Sequence, residues 1–276
     1  MPVVRSGGVD IDYEVVNPGG KGVPVFLISG LNGVRVSWGL QREAFSQGRP
    51  LVLHDHRGTG KSAKPRGAYS VRLMAGDVAA VMDALKIPKA HFVGSSTGGA
   101  INQVLCIDHP NRVQSASIVS SWPRGDAYFK RQFAMRKRVL LEMGWEAYTR
   151  LSAVTLNSPR FFTEHFAEIE KKENENLAGT PPAEIMAERI DCIMAHDEWD
   201  RLGEVRAPVL VLVARDDATT PPYYSEQLAR LIPGAELRVL GDGGHFVYVA
   251  RAAEFNAAVL DFMRRHEPRM PASGGS

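Results

Sequence analysis

Between His91 and Ala100 the chain reads HFVGSSTGGA, a short apolar run followed at once by two adjacent serines inside a cluster of glycines. A serine hydroxyl is a poor nucleophile until a base takes its proton, and it must project from the backbone where base and substrate both reach it. A sharp strand-to-helix turn achieves that, but it crowds the chain on either side, so glycines are needed two before and two after the serine. Ser96 has Gly94 and Gly98 at those offsets, whereas Ser95 would have Val93 and Thr97. Ser96 is therefore the candidate nucleophile, with HFV as the strand and Gly99 to Ile107 as the helix.

The rest of the chain fits such a turn. Short apolar runs at Val25 to Ile28, Leu51 to His54, His91 to Val93, Ala116 to Val119 and Val209 to Val213 are continuous rather than alternating, as strands buried on both faces of a parallel sheet are. Helical patterns lie between them, such as Leu73, Met74, Val78, Val81, Met82 and Leu85, closed by Ile87-Pro88. This alternation predicts an α/β fold with a doubly wound, mostly parallel sheet. Pro2 to Arg5 and Val9 to Val16 are expected to form an antiparallel edge. From Pro123 to about Glu204 strand-like runs vanish, and an aromatic, charged and Met-rich stretch takes over, which predicts a helical cap at 123–204 inserted into a core of 1–122 and 205–266. Within it NENLAGTPP, Asn174 to Pro182, reads as a loop, and Arg136-Lys137-Arg138 as a solvated helix face. The Pro/Gly/Ser-rich 267–276 is expected to be a disordered tail.

Bulk chemistry narrows the partner. Lys plus Arg number 33 and Asp plus Glu 31 in 276 residues, so a net charge of +2 gives no field suited to a nucleic acid or a membrane surface. A small-molecule substrate is expected, for a monomer or homodimer. The N-terminus has no apolar run of signal-peptide length, which makes a cytoplasmic location the expectation. Cys106 and Cys192 are far apart and lack metal-ligand spacing. Gly58 to Ser62, GTGKS, fails as a phosphate-binding loop because Asp55 stands where its first glycine belongs. His54-Asp55-His56 would point alternate side chains to opposite faces, so these histidines read as structural. Neither a metal nor a cofactor is implied.

Two further segments bear on Ser96. ARDDATTPP follows the run Val209 to Val213, and GDGGHFVYV lies near the C-terminus, giving the chain order serine, acid, histidine. With Ser29-Gly30 after the first parallel strand, Asp55-His56-Arg57-Gly58-Thr59-Gly60 after the next, Asp217 four before Pro221 and Gly244-His245 before a final helix, the chain resembles the α/β-hydrolase superfamily from about Val23 to Met263. Many members have His-Gly where this chain has Ser29-Gly30. The resemblance implies a cofactor-free serine hydrolase in which His245 is the base for Ser96 and Asp217 orients it; Asp216 reads as a solvated turn residue, a role aspartate often fills. The resemblance places the oxyanion-hole donors at the backbone N–H groups of Leu31 and Thr97. The segments ISGLNG, HDHRGTG and FAMRKRVLLEMG are most similar to aminoacrylate hydrolases and, more loosely, to 3-oxoadipate enol-lactonases. That implies a small ester, lactone or related C–N substrate bearing a carboxylate, with Arg136, Arg138 or another cation of 123–204 as the carboxylate's partner and Trp122, Phe129, Arg136 and Phe246 expected in its pocket. C–C bond hydrolysis of a ring-cleavage product and a receptor-like binding module with slow turnover are the alternatives this framework leaves open.

Overall fold

A computed structural model describes residues 2–67 and 69–268. Eight strands form one sheet: β1 (Val3–Ser6), β2 (Val9–Val16), β3 (Val25–Ile28), β4 (Leu51–His54), β5 (Ala90–Ser95), β6 (Val113–Val119), β7 (Val209–Ala214) and β8 (Glu236–Leu240). Their spatial order is β1-β2-β4-β3-β5-β6-β7-β8. β1 and β2 form the antiparallel edge, and every pairing from β4 to β8 is parallel. Because side chains alternate across a strand, each run supplies both faces: Phe26 and Ile28 join one apolar core, Val25 and Leu27 the other.

Helices α1 (Arg42–Ser46), α2 (Val71–Ala84), α3 (Thr97–Asp108), α8 (Pro222–Leu231), α9 (Val247–Ala250) and α10 (Ala252–Arg265) connect or follow the strands. Between β6 and β7 lie α4 (Ala127–Leu156), α5 (Pro159–Glu164), α6 (Phe166–Leu177) and α7 (Ala183–Met194). α4 starts at Asp126, whose carboxylate caps the Phe129 N–H, and it breaks at Gly144, where φ is +83° and a side chain would be strained. No helix among the described residues is long and apolar enough to cross a membrane.

Three local expectations are corrected. β8, ELRVL, was not among the strand-like runs: it is the last strand of the sheet, with Leu237 and Val239 about two-fifths exposed, and so carries no continuous apolar signature. Asn174 to Leu177 is not loop but the last turn of α6, and the loop begins after it. Its polar residues suit an exposed helix with pairs such as Lys171–Glu175. At the other end, Glu267 is held by an ion pair with Arg49 beside His91. The remainder of the expected tail, 269–276, lies outside the described residues.

Candidate active site

β5 delivers Ser96 to the C-terminal edge of the sheet, where α/β folds place their sites. Ser96 is the residue before α3 and has φ +56° and ψ −115°, a conformation that costs a non-glycine residue on the order of 1–3 kcal/mol. The neighbours hold it there. A Cβ on Gly94 would collide with the Gly98 carbonyl, and one on Gly98 would collide with the Ile28 carbonyl, so both positions demand glycine. The Ser96 N–H donates to the Val119 carbonyl (2.8 Å), and its own carbonyl accepts the Ser121 hydroxyl (2.9 Å). Ser95, by contrast, lies within β5, opposite Val119.

Asp217 follows β7 and His245 follows β8. One carboxylate oxygen of Asp217 accepts the N–H groups of Thr219 and Thr220, each at 2.9 Å, while the other accepts the Thr220 hydroxyl (3.0 Å) and faces His245 Nδ1 at 2.9 Å. Burial alone would raise this carboxyl's pKa. The adjoining His245 and the Thr220 bonds outweigh it and hold Asp217 below its ordinary value, so it is an anion. A carboxylate at Nδ1 requires a proton there, which leaves Nε2 of the neutral imidazole as a proton acceptor. Ser96 Oγ and His245 Nε2 are not hydrogen-bonded to each other in this structure, a contact that often tightens only around substrate. Ser96, Asp217 and His245 are all buried.

Asp216 is not a solvated turn residue. Its Oδ1 accepts the N–H groups of Gly243 (2.8 Å) and Gly244 (2.9 Å), tying the loop after β7 to the loop that carries His245. Thr219 and Thr220 belong to no catalytic motif in the sequence, yet small hydroxyl-bearing side chains after an aspartate are the signature of a self-bonded turn. The helices between β6 and β7 grip both loops. Tyr128 donates to the Ala218 carbonyl (2.5 Å) and Gln132 to that of Thr219 (2.6 Å). The N–H of His245 donates to the Leu156 carbonyl (2.8 Å) at the end of α4.

Leu31 and Thr97, expected as oxyanion donors, flank Ser96. A Cβ built on Gly30 would stand 3.3 Å from Ser96 Cβ, and Thr97 is the first residue of α3. Neither N–H donates to another group among the described residues. Trp122 and Phe129 are fully buried against each other, with ring centroids 4.4 Å apart, and Phe246 is half-buried next to His245. Arg136 is not on a solvated face: it is 6% exposed, packed over Phe133 and Tyr148, and its guanidinium bonds to Ser152 (2.9 Å) with Nε unpartnered. His54 and His56 stack at 5.0 Å, and burial pushes their pKa values down, to about 4 for His54.

The chain belongs to the α/β hydrolase fold family, whose model matches residues 23–252, and it is a hydrolase. It is 37% identical to RutD of Azorhizobium caulinodans, provisionally named a carbamate hydrolase, over 95% of this chain and 98% of that one. It is 32% identical to Est816, described as an N-acyl homoserine lactone degrading enzyme, covering 95% and 100% of the two chains with a TM-score of 0.82. The enol-lactonase of Burkholderia xenovorans, 24% identical, shares the fold with a TM-score of 0.88 over 95% of this chain and all of that one.

Proposed function

We propose that this hydrolase attacks its substrate with Ser96, with His245 as base and Asp217 as the anion that orients it. The observation that carries the reading is the buried Asp217–His245 contact of 2.9 Å, formed on the same edge of the sheet as a serine held in a strained turn. In the first step Ser96 Oγ bonds to the carbonyl carbon while its proton passes to His245 Nε2. The imidazolium then gives that proton to the departing oxygen or nitrogen as the C–O or C–N bond breaks. Water, activated by the same imidazole, releases the acid. The N–H groups of Leu31 and Thr97, unpartnered and adjacent to Ser96, suit the negative charge that develops on the carbonyl oxygen.

The substrate reading is a small ester, lactone or carbamate-like C–N compound that carries a carboxylate. The relatives named for carbamate and for lactone chemistry support the reacting group. Arg136 supports the carboxylate, because a buried guanidinium without an acidic partner among the described residues has N–H groups to donate to one. The helices of 123–204 act in this reading as the cap over the site, with Trp122, Phe129 and Phe246 limiting the pocket's volume.

The test is a panel of short esters, lactones and carbamates, each neutral and as its carboxylate-bearing counterpart, with wild type and Ser96→Ala side by side. Ser96-dependent turnover that prefers the carboxylate bears the proposal out. Turnover that survives Ser96→Ala removes the nucleophile, and a preference for palmitate over butyrate esters removes the small-acid pocket.

A further inference from the structure

α7 carries a charged residue on its apolar face. Ile185, Met186, Ile190 and Ile193 all turn inward, and Arg189 sits among them with no exposed surface. Burial of an arginine without an anion is expensive. No carboxylate pairs with this one among the described residues, and burial lowers its pKa to about 10. Its partners are neutral acceptors. Nε and Nη2 both donate to the Leu31 carbonyl (3.2 and 2.6 Å), Nη1 donates to the Arg57 carbonyl (2.6 Å), and Nη2 lies 3.3 Å from His56 Nδ1. Two of its donors thus converge on one carbonyl, that of Leu31.

The placement matters because Leu31 belongs to the loop beside Ser96. The Gly30 carbonyl accepts the Gly33 N–H (2.9 Å), which fixes the plane of the Gly30–Leu31 peptide. In a trans peptide the N–H points opposite to the carbonyl, so that turn also sets the direction of the Leu31 N–H. Arg189 fixes the next peptide plane by holding the Leu31 carbonyl. Between them the peptide planes on both sides of Leu31 are tied by hydrogen bonds. Gly33 confirms how close the fit is, since a Cβ there would meet both the His56 ring and Arg189 Nη2 within 3 Å.

We infer that Arg189 is a positioning residue for the oxyanion site: from α7 it clamps the Leu31 carbonyl so that the Leu31 N–H stays aimed at the carbonyl oxygen attacked by Ser96. This rests on the proposed serine mechanism. It adds that α7 takes part in rate acceleration without touching substrate. An uncharged residue here would leave the Leu31 carbonyl unpartnered and one of the two peptide planes at Leu31 untied, with the loss falling on the transition state rather than on binding.

The experiment compares wild type with Arg189→Met, Arg189→Lys and Arg189→Ala on an activated short ester and on its thionoester, whose larger, weakly hydrogen-bonding sulfur gains little from the oxyanion donors. Expected for Arg189→Met is a fall in kcat of roughly a hundredfold, the scale of one lost oxyanion donor, with KM within about threefold. The ester-to-thionoester ratio of kcat/KM falls about tenfold or more. Lysine, which cannot span both carbonyls, restores little, whereas guanidinium chloride added to Arg189→Ala restores kcat and urea at equal concentration does not. Thermal unfolding of each variant identifies those that fold, and the ratio, unlike kcat, is independent of the active fraction. An unchanged ratio together with no guanidinium-specific rescue overturns the inference. Ser96→Ala as a control keeps the two readings apart: if it retains activity the serine mechanism itself fails, and if only the Arg189 variants behave like wild type, the clamp alone does.

Discussion

On the sheet side of the site, Ser96 is held by backbone shape, because the Gly94 and Gly98 positions leave no room for a side chain and the turn can take only one path. Asp217 and His245 instead sit on loops held by several separate hydrogen bonds: to Asp216 from the Gly243 and Gly244 N–H groups, from Tyr128 and Gln132, and from His245 back to Leu156. The first region is fixed by exclusion, the second by attachment. A steric constraint fails all at once when an atom is added. A set of bonds worth about 1 kcal/mol each fails by degrees. Substitutions on the two sides should therefore differ in kind as well as in size.

The largest effect is expected at the centre. Ser96→Ala should lower kcat/KM on the order of 100,000-fold, leaving only binding and the oxyanion donors, while Ser95→Ala, inside β5, should stay within about tenfold. A fluorophosphonate label found on Ser95 by peptide mapping would reverse the assignment. Next comes Asp217→Asn, with a loss of roughly 10,000-fold because the amide favours the wrong imidazole tautomer. The amide oxygen can still accept the Thr219 and Thr220 N–H groups, so the variant should lose little stability, and calorimetry alongside kinetics checks that the loss is catalytic.

The sheet side is broken most directly by Gly98→Ala, whose added methyl meets the Ile28 carbonyl. It should cost about 3 kcal/mol or more in denaturant unfolding, the upper range for overpacking. If that variant unfolds like wild type and stays active, exclusion is not what holds the turn. The attached side is graded by Asp216. Asp216→Asn should be mild, because one amide oxygen can accept both the Gly243 and Gly244 N–H groups, as Oδ1 does now. Asp216→Ala loses both bonds, and a fall in kcat of about tenfold is expected as the histidine loop loosens.

The same contrast explains what could be read in the sequence. Steric demands leave glycines and apolar runs, so the strands from Val25 to Ala214, the turn at Ser96 and the antiparallel edge were legible in outline. Attachment leaves fainter marks. Asp216 looks like any aspartate in a turn, and its bonds to Gly243 and Gly244 span a separation that no local pattern records. β8 escaped because an edge strand has little apolar surface to bury, and the end of α6 because its polar residues face water. Arg189 was detectable in principle, as the one charge among Ile185, Met186, Ile190 and Ile193, yet its partners at Leu31 and Arg57 follow only from the fold. Arg136 shows the opposite failure: a basic run resembles a solvated face, whereas helical spacing puts Phe129, Phe133, Arg136 and Leu140 on one buried side.

The smallest effect sits on the seam where the helices of 123–204 meet α3. His196, just past α7, lies 3.3 Å from the Gln103 amide oxygen of α3 and meets the Trp122 ring edge-on, joining the helical segment to the sheet. Burial, with a lesser contribution from Arg72, pushes its pKa down to about 3 from an ordinary 6.5. The sign follows from that direction. Because the unfolded chain binds this proton more readily than the folded one, His196 has no effect on stability above pH 6.5. It becomes a growing penalty as pH falls from 6.5 towards 3. At pH 5.5 the penalty should be about 1 kcal/mol. His54 and His91, each lowered to about 4 chiefly by burial, act in the same sense, so wild-type stability should fall steadily below pH 6.5. His196→Gln keeps a donor for Gln103 but cannot take up the proton. Its absolute stability can drop through lost packing on Trp122, so the readout is the slope: urea unfolding at pH 7.5, 6.5 and 5.5 should show a smaller decline for the variant than for wild type. Parallel declines would mean that the seam tolerates the charge, and that this histidine belongs to neither the rigid nor the attached side of the site.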